Sequence, residues 1–309
     1  MKVLRIDVRI GCLLAAALLL AATFARPLWP LERPRFEHVV VLDVTQSMNV
    51  QDEVWQGRTV SRLDAAKSAL RSVVESLPCG SKIGWAIFTE YRSYLLFTPV
   101  EVCAHRAELR DALARIDSRM AWSGNSEVAK GLHSAIGIAR QLPGTPSLVF
   151  VTDGHEAPPL DPNQRPPLDN KPGEVAGVIV GVGALKASPI PKSDALGRPL
   201  GFWAADDVAQ VNPHPPNRDL NGRDEVPAAS LGATSGSEHL SSLREGYLRL
   251  LANENGLSFA RVRGDELAAA LRAPALSRPV KTTVDLRNAL AALALLLLLV
   301  QWLPRRRSA

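Results

Sequence analysis

Two hydrophobic rhythms alternate along the chain. Short apolar runs bounded by polar or turn residues predict buried strands, and stretches with an apolar residue at every third or fourth position predict amphipathic helices. Strands are expected at 38–42, 147–152, 175–182 and 257–262. Ser61 reads as the N-cap of a helix reaching Leu77, with Leu63, Ala66, Leu70, Val73, Val74 and Leu77 on one face. Further helices are expected at 106–119, at 127–142 with Val128, Leu132, Ala135 and Ala139 on one side, at 238–254, and briefly from Asp265. Residues 82–88 and 94–100 predict two short strands joined by the polar turn 89–93. Strand and helix signals in alternation predict an α/β fold, a doubly wound and mostly parallel sheet with helices on both faces.

Two segments break the rhythm. Residues 155–172 contain Pro158, Pro159, Pro162, Pro166, Pro167 and Pro172, and residues 183–236 are rich in Pro, Asn, Gly and Asp around a small strand expected at 201–205. Both follow the C-terminal ends of strands, which share one rim in a parallel sheet. Recognition is therefore expected on that rim.

Longer apolar runs bracket this pattern. Residues 10–25 carry no charge and follow an n-region, 1–9, with Lys2, Arg5 and Arg9. They read as a signal anchor or a cleavable signal peptide. Residues 288–304 are apolar and precede the basic tail 305–309, which predicts a transmembrane helix with its tail in the cytoplasm; a buried core helix is the alternative. The expected topology leaves a single domain over 37–273 in the bacterial periplasm, tethered to the inner membrane. The chain has 309 residues and is 46% hydrophobic, which supports an ordinary core and argues against disorder. Its net charge of +5 owes much to Arg305, Arg306 and Arg307 beside the apolar run, so nucleic acid is not an expected partner. Cys12 lies in the first apolar run. If the hairpin is centred near Tyr91, paired positions sum to about 182, which sets Cys79 opposite Cys103. A disulfide is expected in an exported domain, and two unpaired buried thiols are the alternative.

Candidate chemistry sits at the strand ends. VVVLDVTQSM, at 39–48, ends an apolar run in Asp43, followed at alternate positions by Thr45 and Ser47. Side chains of an extended stretch point the same way at every second residue, so one carboxylate and two hydroxyls converge; local capping is the competing role. SLVFVTDGHE ends a second run in Asp153, where a plain Asp-Gly turn is the alternative. WSGNSEVAKGL puts Ser126 just before an amphipathic helix, where it could serve only as an N-cap.

Taken in order, these stretches resemble the von Willebrand factor A domain with its metal-ion-dependent adhesion site, over roughly residues 37–273. The resemblance implies that Asp43, Thr45, Ser47, Ser126 and Asp153 surround a divalent cation between two neighbouring strands. Thr45 and Ser126 differ from the commonest residues of the pattern but keep the hydroxyl, and the paired glycines before the threonine position are reduced to Gly124 and Asn125. An all-oxygen set of low charge implies Mg²⁺, with Mn²⁺ or Ca²⁺ as alternatives. Two carboxylates leave such an ion incompletely neutralised, so a protein client's acidic side chain is expected to complete its shell. DVTQSMNVQD, SLPCGSKIG, FTPVEVCAH, RMAWSGNSEVAKGL and LVFVTDGHEAPP are similar to the membrane-tethered MxaL-type proteins of bacterial methanol-oxidation clusters. That resemblance implies a non-enzymatic assembly factor working with other inner-membrane proteins in maturing a quinoprotein methanol dehydrogenase, through its calcium loading. The membrane-anchored Bat type is the nearest rival. A metal-assisted hydrolase using His155 and Glu156, and a plain structural tether, are the remaining alternatives. No G-x-S-x-G, H-E-x-x-H or P-loop pattern supports an enzyme.

Overall fold

Residues 35–278 form one unit, and the two ends, up to 34 and from 279, form another. The computed structural model describes residues 8–160, 171–194, 196–208 and 237–299. In the end unit, α1 (Val8–Phe24) packs against the helix Arg287–Leu299, and strand Ser277–Asp285 pairs with the start of β1 (Leu28–Asp43). The α1 helix has 17 residues and its partner 13, and among the described residues no helix is long and apolar enough to cross a membrane. The spans expected at 10–25 and 288–304 coincide with these two helices, which among the described residues are not supported as membrane spans. Residues 300–304, the tail 305–309 and residues 1–7 lie outside the described residues.

Within 35–278, the second half of β1 is followed by a small hairpin, β2 (Glu53–Trp55) and β3 (Arg58–Val60), then α2 (Arg62–Ser76). Next come β4 (Lys82–Thr89), β5 (Arg92–Leu95), β6 (Val100–Glu101), α3 (Arg106–Arg115), α4 (Val128–Gln141) and β7 (Ser147–Thr152). After β8 (Gly177–Gly181), the insertion supplies β9 (Ser188–Pro189), β10 (Pro191–Ser193) and β11 (Pro199–Phe202). The chain returns through β12 (Leu240–Ser241), α5 (Glu245–Asn255), β13 (Ser258–Arg261) and α6 (Glu266–Leu271) before the strand at 277–285 and the helix at 287–299, β14 and α7. The main sheet runs β13-β8-β7-β1-β4-β5, parallel except for β5 and β6, which pair antiparallel to β4.

Both faces of β1 are covered, which explains its unbroken apolar run. Val39 and Val41 pack with α4 and α5, whereas Val40 and Leu42 pack with α2, α3 and α6. Ser61 caps α2 as expected, its Oγ accepting the Asp64 N–H at 3.0 Å. Helix α3 stops at Arg115, short of 119, because Asp117 turns the chain by accepting the Arg119 N–H. The helix expected from 238 begins at Glu245, since Leu240 and Ser241 instead pair with β9.

The strand expected at 94–100 is two pieces. Phe88 faces Ser93, a sum of 181, but Lys82 faces Glu101, a sum of 183. Between them Leu96 and Phe97 both donate to the Trp85 carbonyl, the two-to-one pairing of a bulge. On the nearer register, 183, Cys79 would face Ala104, one position from Cys103, and the two cysteines form a disulfide with Cα atoms 5.2 Å apart.

Candidate metal centre

β1 lies between β7 and β4, and the connections from it depart to opposite sides, through α2 to β4 and later from α4 to β7. The crevice between the C-terminal ends of β1 and β7 is therefore a topological switch point. Asp43 ends β1, Asp153 follows β7, and both are fully buried there.

Thr45 and Ser47 reach Asp43, although not by strand alternation. The chain leaves the extended conformation after Thr45 and enters a 3-10 turn, Gln46–Asn49. This turn brings the Thr45 hydroxyl to Asp43 Oδ1 at 2.7 Å and within 3.3 Å of the Ser47 hydroxyl. The Thr45 N–H also donates to Asp43 Oδ1, and the Thr152 hydroxyl donates to Oδ2 at 2.7 Å. Burial, and then the nearby Asp153 charge, push Asp43 up to about 7 against these hydrogen bonds.

Asp153 is in the opposite electrostatic state. Burial works against its ionisation, but the Arg62 guanidinium holds it below the usual carboxylate range. Arg62 Nη1 donates to Asp153 Oδ2 at 2.5 Å, the Ser241 hydroxyl donates to the same oxygen at 3.1 Å, and the His155 N–H donates to Oδ1. Arg62 is itself fully buried and grips Asp52 through Nε and Nη2 at 3.0 and 2.6 Å. The sequence motifs did not point to Arg62, Asp52, Ser241 or Thr152. One signal was present for Arg62: it opens α2, where the helix dipole disfavours a cation, so it needs anionic partners from elsewhere.

Ser126 is not an N-cap. Helix α4 begins two residues later, and the N–H groups of Val128 and Ala129 are taken by Glu156 Oε2 and Oε1 at 3.0 and 3.1 Å. The Tyr247 hydroxyl also donates to Glu156, whose burial raises it to about 7 in spite of these bonds. Backbone pairing with Ala157, through Ser126 N–H at 2.6 Å and Ala157 N–H at 2.8 Å, fixes Ser126 at the crevice. Its Oγ is buried with no hydrogen-bond partner, as is His155 Nδ1. Burial holds the His155 imidazole down to about 4, hence neutral at pH 7.

Ser47, Ser126 and His155 line one cavity of about 240 Å³, with Ile190 and Trp203 of the insertion forming its apolar wall. Among the described residues, the only cluster of three His, Cys, Asp or Glu ligand atoms is Cys79, Glu101 and Cys103, where both sulfurs are spent in the disulfide. His155 thus does not converge with both aspartates. The switch-point set is two carboxyls, Asp43 and Asp153, with the hydroxyls of Thr45, Ser47 and an unpartnered Ser126. An orphaned buried hydroxyl beside oxygen donors fits a hard divalent cation.

Residues 38–155 match the family profile of the von Willebrand factor type A domain. No curated protein matches the chain by sequence. Among solved structures, the chain is similar to an aerotolerance-related membrane protein from Bacteroides fragilis, at 17% identity and a TM-score of 0.46, over 75% of this chain and 94% of that one. A membrane-spanning protein from Vibrio fischeri is 19% identical with a TM-score of 0.29 over the same shares. A von Willebrand factor type A protein from Catenulispora acidiphila is 12% identical with a TM-score of 0.35, over 84% of this chain and 43% of that one. The α/β architecture and the mostly parallel sheet are consistent with the profile match, which spans residues 38–155.

Proposed function

We propose that this chain is a metal-dependent protein-binding and assembly factor of the bacterial inner membrane, with residues 35–278 in the periplasm. The observation that carries this reading is the buried, unpartnered Ser126 hydroxyl at the switch point. Asp43, Thr45, Ser47, Ser126 and Asp153 would hold the ion. Mg²⁺ suits that oxygen set, and when bound it supplies a positive centre for an acidic side chain of a client. The cavity of about 240 Å³ lined by Ile190 and Trp203 offers a client side chain a recess next to Ser47 and Ser126. The Cys79–Cys103 disulfide suits an oxidising compartment. A hydrolase reading is less well served, since Glu156 is consumed in capping α4 and receiving Tyr247.

The client, on the strength of the MxaL-type motifs, is a quinoprotein methanol dehydrogenase whose calcium loading requires this protein. Capture of client from detergent-solubilised membranes should need Mg²⁺, should fail with chelator, and should fail with Asp43→Asn. A gene deletion should leave the dehydrogenase exported but with low activity per amount of enzyme, recoverable in part by added Ca²⁺. Normal specific activity in the deletion strain would reject the maturation role; metal-independent capture would reject the metal's role.

A further inference from the structure

We infer that Arg62 is a built-in competitor of the divalent cation for Asp153, and that Asp52 sets how strongly it competes. The inference rests on the metal reading of this site. A guanidinium is charged at any pH a protein meets, and Arg62 is held without freedom to leave. Nε donates to Asp52 Oδ1, Nη2 to Asp52 Oδ2 and the Ser241 carbonyl, and Nη1 to Asp153 Oδ2 and the Ser241 hydroxyl. The five N–H donors are thereby used. The backbone is shaped to the group as well: Gly183 has φ +116°, and a Cβ there would lie 2.6 Å from Arg62 Nε. Only glycine leaves the space in which the guanidinium lies.

One cation is therefore divided between two carboxylates. Asp153 receives a single guanidinium N–H, whereas Asp52 receives a forked pair. An ion entering beside Asp43 meets an Asp153 whose charge is already partly spent, together with a fixed positive group behind it. In a buried site this repulsion is weakly screened. The wild-type site should hold a divalent ion loosely when alone and better when an external carboxylate arrives with it. Removing Asp52 should turn Arg62 more fully onto Asp153 and loosen the ion further.

The test is Mn²⁺ titration of the purified full-length chain, followed by the electron paramagnetic resonance signal of free Mn²⁺, with and without acetate. Arg62→Gln should bind Mn²⁺ about tenfold or more tightly than wild type and lose most of the acetate enhancement. Arg62→Lys keeps the charge while losing the fork, and should stay close to wild type. That contrast separates charge from packing. Asp52→Asn should bind several-fold more weakly, and it and Arg62→Lys carry the test if Arg62→Gln does not fold. Equal Mn²⁺ affinity in wild type and folded Arg62→Gln, tighter binding by Arg62→Lys, or unchanged or tighter binding by Asp52→Asn, overturns the inference alone. Absence of Mn²⁺ binding in all four proteins overturns the metal reading and this inference with it.

Discussion

Ser126 and Asp153 lie at the same crevice, yet their removal leaves different things behind. Ser126→Ala deletes a hydroxyl that bonds to nothing in the protein, so the fold should lose no more than about 0.5 kcal/mol while divalent affinity falls. Asp153→Ala strips Arg62 of one of its two carboxylate partners and leaves Asp52, and losing a buried hydrogen bond to a charged group costs about 1.5–3 kcal/mol. Urea unfolding of the two variants checks the contrast; similar stability losses in both would mean that the Ser126 hydroxyl has a structural partner. The five candidate residues stood out in the sequence because each sits at a strand end or ahead of a helix in a recognisable neighbour pattern. Arg62 was not, because its partners Asp153 and Ser241 lie 91 and 179 residues away, and no local rhythm records such a pairing. Ser126 was legible as a hydroxyl but not as an unpartnered one, since its capping role was taken by Glu156, 28 residues beyond the Val128 whose N–H it accepts.

At the scale of elements, α4 and β4 show where packing overrides propensity. Gly131 lies inside α4, where alanine would ordinarily gain about 1 kcal/mol. A Cβ there would fall 2.1 Å from the Phe88 ring, which is fully buried in β4. Gly131→Ala should therefore destabilise by about 1–3 kcal/mol, and Phe88→Leu in the same chain should recover part of that loss. Thermal unfolding of the two single variants and the double variant decides it, and a stabilised Gly131→Ala would reject the close approach. The parallel strands and their helices were readable because both faces of the sheet are covered and the two periods are cleanly separated. Register within the β4–β6 region was readable only on average, because a bulge at Leu96 and Phe97 has no sequence signature beyond its neighbours. The Cys79–Cys103 link closes a loop of sequence separation 24, so its reduction should cost about 3 kcal/mol by loop-entropy reasoning. Denaturant midpoints with and without reductant should differ accordingly; coincident curves would show that the disulfide does not constrain the unfolded chain.

For the molecule as a whole, stability against pH depends on groups buried in protonation states they would not choose in water. His38 lies on β1 five residues before Asp43. Its Nε2 lies 3.0 Å from the Leu271 carbonyl, its Nδ1 has no partner, and its ring stacks on Phe36 at 6.0 Å between centroids. A neutral ring donating from Nε2 satisfies this arrangement, and a cation would leave a charged, unpartnered Nδ1–H in the core. Burial accordingly lowers His38 from 6.5 to about 4, with the backbone hydrogen bond opposing it. Above pH 6.5 the ring is neutral in both folded and unfolded chains, and its contribution is fully present. As pH falls from 6.5 toward 4, the unfolded chain takes up a proton that the folded chain refuses. Stability then drops by about 1.4 kcal/mol per pH unit from this group. Glu156 and Asp43, both raised to about 7, act in the opposite sense, their contribution being lost as pH rises toward 7, whereas His155, lowered to about 4, acts with His38, so the total curve is the balance of all four. His38→Gln isolates the histidine, since a glutamine amide can still donate to the Leu271 carbonyl but cannot titrate. Between pH 6.5 and 4.5 the wild-type chain should lose about 2–3 kcal/mol relative to this variant in urea unfolding. Parallel losses in the two proteins would show that His38 accepts its proton without leaving the core.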